Sequence, residues 1–386
     1  MPENAQAEIN ENSDGKIKKQ SSGVQLVVTV FILTLATKMF LLPIFLIRAA
    51  GRDGYLVLAI GAGIDLLSLG TMLAAMFISK DTDFFTLLEK VVGKVAAKII
   101  VALFTLFLFF KMNVAANETL TFYTDNVFAE FDSAIMVIVL LIFLAAVANH
   151  TLRALCRLNE LLVPIVVVGI GILIAIAAVT GFDFGNIMPT MRQPEKFGDA
   201  VLRHGAWLGD FTPLTLFVGR TEVKKRTVVV ASVSGVIGTA VVLFFSIVMC
   251  AAFGNIPTYV DSTTNISNIL QFAVGNVYGR IDLFSSVLWS IAAFVETALF
   301  FYATCRCVAY VIGRNAHFFI ALGCSVVTYF TQVFAMSDPT VFSLIMSSKI
   351  TSGLSLAFTV AIPLLIVACG ALAARSERRK AVKDNG

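Results

Sequence analysis

The stretch "LTLATKMFLLPIF", residues 33–45, sets a lysine, Lys38, and a proline, Pro43, inside an apolar run that extends from Val24 to Ile47 without one acidic residue. A lysine at the centre of a bilayer span costs about 2.5 kcal/mol or more, and a proline removes a helix hydrogen bond. Lys38 lies ten residues before Arg48. That is about 15 Å along a helix, too far for the side chain to snorkel to the nearer interface. The run has the composition of a membrane span and two features that a uninterrupted span avoids.

The rest of the chain makes the membrane reading general. Of 386 residues, 58% are hydrophobic, 33 are phenylalanine and 14% are charged, a composition that fits a polytopic membrane protein and no soluble fold of this size. Ten apolar segments approach the length needed to cross about 30 Å of hydrocarbon. They fall at 24–47, 55–78, 99–122, 133–148, 160–180, 201–218, 228–253, 282–312, 316–335 and 351–374. With the N-terminus inside, 20 of the 29 Lys and Arg fall in cytoplasmic segments, seven fall outside, and Lys38 and Lys111 fall within spans. This bias predicts cytoplasmic N- and C-termini. Residues 1–22 read as a disordered cytosolic tail, 23–374 as a ten-helix transmembrane domain, and 375–386 as a basic cytosolic tail. The segment 79–98 reads as an interfacial helix.

Six cysteines lie in or beside apolar spans, which argues against a disulfide framework or a metal cluster. No Ser-His-Asp grouping, paired catalytic carboxylates or phosphate-binding glycine loop is present, so the pattern is not that of an enzyme. Nothing calls for a cofactor, a metal or nucleic acid.

Ten spans divide into five plus five. In transporters built from inverted repeats the substrate lies at mid-bilayer, where one helix of each repeat is interrupted. Span six, the counterpart of span one, reads "HGAWLGDFTPLTLFVGR" and packs Gly209, Asp210, Thr212 and Pro213 into five residues. Such a cluster is a poor helix interior and holds a carboxylate at depth. The matching breaks predict an all-α, leucine-transporter-like architecture with spans one and six interrupted.

Three stretches together resemble the bacterial spore germination permease family, the B subunits of nutrient germinant receptors, within the amino acid/polyamine/organocation superfamily. In "RALCRLNELLVPIVV" (153–167) the carrying residues are Arg157, Glu160 and Pro164. In "GRIDLFSSVLWSIAAFVETALFFYAT" (279–304) they are Asp282, Leu283, Phe284, Trp289 and Tyr302. In "LLPIFLIRAAGRDGYLVLAI" (41–60) they are the Leu-Pro step and the Ala-Gly-x-Asp turn. The resemblance implies a spore inner-membrane protein that binds or passes a small nutrient such as an amino acid, with A-type and lipoprotein C-type subunits and the lipid bilayer as partners. The family commonly has a Gly-x-Gly-Ile-Leu stretch before the Leu-Pro of span one, and here its glycine positions read Ala36 and Lys38. A side-chain cation stands where backbone amides would receive a carboxylate.

Two readings of Lys38 stand. It pairs with a fixed acid among Asp65, Glu118, Asp210 and Glu296, or it holds a ligand. Asp65, in "GAGIDLLSLG", is the nearest fixed partner, since consecutive spans are often neighbours. Asp210 and Thr212 in the span-six break, Lys38 and Ala36 in the span-one break, and Glu296 and Thr297 midway along span eight are the ligand-facing candidates. Asp65, Pro43, Gly209, Pro213 and Glu118 are read as structural charges or helix breaks, with Glu118 taken to meet water at the end of span three. His150, His204 and His317 are explained by interfacial placement. An active proton-coupled amino-acid transporter and a non-binding membrane scaffold are the alternative functions.

Overall fold

A computed structural model describes residues 19–36, 38, 42–79, 81–126, 132–179, 184–188, 190–191, 194–253, 281–314 and 317–384. Most of the expected N-terminal tail and the polar loop 254–280 lie outside the described residues. The described chain is almost wholly helical. In order the helices are α1 (Gly23–Leu35), α2 (Leu42–Ala50), α3 (Gly54–Ile78), α4 (Phe84–Val92), α5 (Lys94–Asn126) and α6 (Ser133–Ala148). There follow α7 (Leu152–Val179), α8 (Pro194–His204), α9 (Lys225–Phe253), α10 (Ile281–Ile312), α11 (His317–Thr331), α12 (Pro339–Met346) and α13 (Lys349–Asp384). Seven helical stretches among the described residues are long and apolar enough to cross a membrane, and α1 and α6 are shorter apolar helices. The protein is an integral membrane protein.

Local chemistry explains the boundaries. Ser22 and Gln25 form a reciprocal capping box that starts α1. The helix stops at Leu35, and α2 begins at Leu42 with Pro43 in its first turn, where a missing N–H costs nothing. Pro43 therefore opens a second helix after the break instead of kinking one continuous span. The expected span 201–218 also departs from a regular helix. Here α8 ends at His204, and short 3-10 turns cover Gly205–Trp207 and Thr212–Phe217, with Pro213 at the start of the second. The interfacial segment 79–98 is divided: Asp83 caps α4, and Gly93 separates it from α5. At the C-terminal end, α13 continues through the basic tail to Asp384.

The buried side chains form two apolar clusters. One gathers Leu26, Leu33, Met72, Phe84, Phe104, Phe217 and Phe301. The other gathers Leu42, Ile47, Val57, Trp207, Phe245 and Met249. Along α3 the first cluster takes Leu69 and Met72 and the second takes Val57 and Leu58, with buried Asp65 between them. The span-six region repeats this order, with Trp207 in one cluster, Phe211 in the other and Asp210 between. The breaks thus sit in a polar layer between two greasy ends. Outside, Ile142 and Phe143 of α6 and Phe318 and Phe319 of α11 are exposed, a face that suits lipid and not water.

At one end of the bundle the segment before α1 is tied to the segment after the span-six turns. Ser21 and Thr221 form an isolated parallel bridge, and their hydroxyl oxygens are 2.6 Å apart. The Gln20 and Ser21 N–H groups both donate to the Arg220 carbonyl, and the Glu222 N–H donates to the Ser21 carbonyl. Gly219 lies in this turn with φ of 72°, and an added Cβ would stand 2.5 Å from the Thr82 carbonyl carbon and oxygen. Gly219→Ala is expected to destabilise the detergent-solubilised protein by more than the roughly 1 kcal/mol of a left-handed alanine, because backbone cannot step aside. Gly63→Ala, which meets nothing within 4 Å, is expected to be neutral or mildly stabilising in the same thermal melts.

Candidate functional site

Both breaks converge on Asp65. Lys38, between α1 and α2, makes an ion pair and hydrogen bond with Asp65 Oδ2. The Gly209 N–H of the second break donates to Asp65 Oδ1 at 3.2 Å. A single carboxylate on α3 therefore holds a side chain from one break and backbone from the other. Glycine is required at 209, where φ is 106° and a Cβ would stand 2.9 Å from both Phe107 and the Thr359 hydroxyl. Thr212 donates its hydroxyl to the Gly209 carbonyl at 2.6 Å and closes the turn.

Asp210 extends the network to a third helix. Its Oδ2 is 2.8 Å from Lys38 Nζ and its Oδ1 is 2.9 Å from Lys111 Nζ on α5. Lys111 Nζ also donates to the Trp207 carbonyl at 3.2 Å. The four side chains are almost wholly buried, between 0% and 6% exposed. Two lysines and two aspartates make a locally neutral cluster, and neutrality is what permits such groups at bilayer depth. Phe211 adds a ring face 5.8 Å from Lys38 Nζ. The Lys38 ammonium is thus engaged by two carboxylates.

Glu118 lies two turns along α5 from Lys111, and it is buried, 1% exposed. The sequence places it in water at a span end; packing of α5 along α10 takes it inside instead. Among the described residues neither of its carboxylate oxygens has a hydrogen-bond partner, and Glu296 of α10, Lys111 and Asp210 are within electrostatic reach. Glu296 and Thr297 are also buried, and the Thr297 hydroxyl donates back to the Ala293 carbonyl of its own helix. Ala36 is buried at the end of α1, and its N–H closes that helix on the Ile32 carbonyl. The centre therefore holds Lys38 and Lys111 against Asp65, Asp210, Glu118 and Glu296. With Lys38 and Lys111 set against Asp65 and Asp210, the Glu118 carboxyl leaves room for added positive charge, as a proton or as a ligand cation.

Lys111 is the functional candidate that the sequence reading passed over. Its one signal was that it is the second lysine inside a span. Gln332 is another: its amide nitrogen donates to the Asn113 carbonyl and side chain at 2.8 and 3.0 Å, joining a π-turn at Gln332–Met336 to α5. His204 is buried where interfacial placement was expected. Among the described residues no group of three metal-ligating side chains is present.

Removing one member strands its partners. Asp210→Ala is expected to destabilise the protein by about 3–5 kcal/mol, since Lys111 then loses its ion pair and Lys38 one of its two. Adding Lys111→Met should recover part of that loss, and a double-mutant cycle from thermal melts would measure it.

Comparison with known proteins agrees with this layout. MHP1, a nucleobase-cation-symport-1 family transporter solved closed with bromovinylhydantoin bound, aligns with a TM-score of 0.56 at 11% identity, covering 91% of this chain and 82% of that one. The manganese transporter of Eremococcus coleocola, in complex with an aromatic bis-isothiourea substituted compound, aligns with a TM-score of 0.53 at 11% identity, covering 93% and 81%. These likenesses establish a leucine-transporter-like fold. No curated protein sequence matches the chain. The sequence profile of the spore permease family, described as spore germination protein, matches residues 21–341. A match over that length, on a chain that folds like these transporters, places the protein in the spore germination permease family.

Proposed function

We propose that the protein is the B-type subunit of a nutrient germinant receptor, that it binds a small nutrient at the two breaks, and that binding triggers germination through A-type and lipoprotein C-type subunits. The carrying observation is the buried Glu118 carboxylate, without a hydrogen-bond partner among the described residues, beside the Lys38–Asp65–Asp210–Lys111 cluster. An excess of buried acid favours a ligand with an ammonium group, which an amino acid supplies. Glu118 would receive that group, while Asp210, Thr212, Glu296, Thr297, Lys38 and Ala36 line the breaks around it.

The architecture that goes with this reading is a ten-span, five-plus-five inverted repeat. The seven long stretches, the shorter α1 and α6, and the interrupted segment between α8 and α9 support the count. The protein would lie in the spore inner membrane with both termini in the cytosol, residues 23–374 forming the transmembrane domain between an N-terminal tail at 1–22 and a basic tail at 375–386.

Glu118→Gln separates ligand binding from folding, because it removes a buried charge without changing shape. In full-length protein in nanodiscs, the variant is expected to melt no lower than wild type and to lose tenfold or more in affinity for an amine-bearing nutrient, about 1.4 kcal/mol. A deletion strain complemented with each variant, tested against amino acids, amines, sugars and nucleosides, gives the biological readout. Germination that survives Lys38→Ala, Asp210→Ala and Glu118→Gln alike would overturn the site. Proton-coupled uptake by the protein alone in proteoliposomes would instead make it a transporter, with Glu118 carrying the proton.

A further inference from the structure

A cavity of about 220 Å³ lies between α3, the α8 end and α13. Its walls are mainly apolar, with Ile60 and Ile64 from α3, Leu202 and Leu208 from the α8 side and Leu356 from α13. Ile60, Leu202 and Leu356 are 42%, 60% and 39% exposed, so the opening faces the lipid side of the helices. His204 also lines it. The residue is 4% exposed, and among the described residues neither ring nitrogen has a hydrogen-bond partner. Its ring rests on Gly61, where an added Cβ would stand 1.9 Å from Nε2. Leaving a buried polar group unsatisfied is costly, and a ligand that satisfied it would recover that cost.

The cavity mouth carries positive charge. Lys349 lines it and lies 3.4 Å from Asp199, which also pairs with Arg203. Arg203 reaches the Ser347 carbonyl at 3.4 Å, and its own carbonyl accepts the Ser352 hydroxyl at 2.9 Å. Two cations and one carboxylate leave a net positive rim over an apolar interior. A zwitterionic nutrient would have to bury two charges among leucine and isoleucine, so it fits poorly. A two-chain phospholipid exceeds the volume.

We propose that this cavity binds a single-chain carboxylic acid drawn from the bilayer, with the alkyl body against the apolar walls and the carboxyl group on His204 beneath the Lys349 rim. The acid brings its own proton, so the acid–imidazole pair is neutral overall and no net charge is buried. The site is coupled to the cluster by short distances along the chain. Gly61 is one helical turn from Asp65, and Leu208 directly precedes Gly209. An occupant that moves α8 against α3 moves the span-six break with it.

Gly353 allows a clean test, because an added Cβ there meets nothing within 4 Å. Full-length protein in nanodiscs of zwitterionic lipid is irradiated with a diazirine-bearing decanoic acid, and labelled peptides are mapped by mass spectrometry. Label is expected on residues 201–208 and 352–356, displaced by decanoic acid at least fivefold better than by decanol. Gly353→Phe should cut labelling tenfold or more without lowering the melting temperature. His204→Leu should retain labelling, raise the melting temperature, and abolish the preference for acid over alcohol. Even labelling of every lipid-facing helix, equal competition by decanol in the wild type, or undiminished labelling of Gly353→Phe would overturn the proposal.

Discussion

The contact on which the protein's centre depends is the one carboxylate of Asp65 shared between Lys38 and the Gly209 amide. A helix break at bilayer depth leaves backbone donors and acceptors without intrahelical partners, and lipid offers no replacement. Here each break stabilises the other through α3. Asp210 and Lys111 continue the same logic, so that each charge of this cluster faces an opposite one. The apolar clusters on either side supply the bulk of the packing. The polar layer fixes where along the bilayer normal the broken segments meet.

That arrangement trades stability for specificity. A buried ion cluster is seldom the strongest way to fill a core, and apolar residues of equal volume often hold a fold as well or better. What it adds is intolerance of misregister: sliding α3 by one turn against the breaks would strand Asp65 from both of its partners. Glu118 sits beside this rigid layer without belonging to it. A fixed charge lattice with a less constrained acidic neighbour is a setting in which a small cation or proton can alter local balance without dismantling the helices.

The outline of this fold was legible in the sequence because apolar length and paired breaks are properties of short windows. Lys38, Pro43 and the Gly209–Pro213 cluster each violate the local rule for a membrane helix, and those violations mark the breaks. The partners were less legible. Nothing local tells that Lys111, on a helix of ordinary apolar pattern, reaches Asp210, since that contact is set by how α5 packs against the span-six turns. Glu118 was misplaced for a related reason. A polar stripe near the end of an apolar run looks the same whether water or α10 covers it, and only the packing decides. His204 follows the same pattern beside Gly61.

The bridge between Ser21 and Thr221 has a mechanical consequence. The chain ahead of α1 and the chain after the span-six turns are stitched by backbone hydrogen bonds at Gln20, Ser21 and Glu222, and Arg153 donates to the carbonyls of Lys19 and Gln20 across the same seam. Hydrogen bonds loaded side by side share a pull and resist it together, whereas bonds loaded in line open one at a time. Tension on the segment that precedes Lys19 therefore meets a shear joint. Short of breaking that joint, a tug there is carried into both interrupted segments at once, and α1 and the span-six turns shift as one lever.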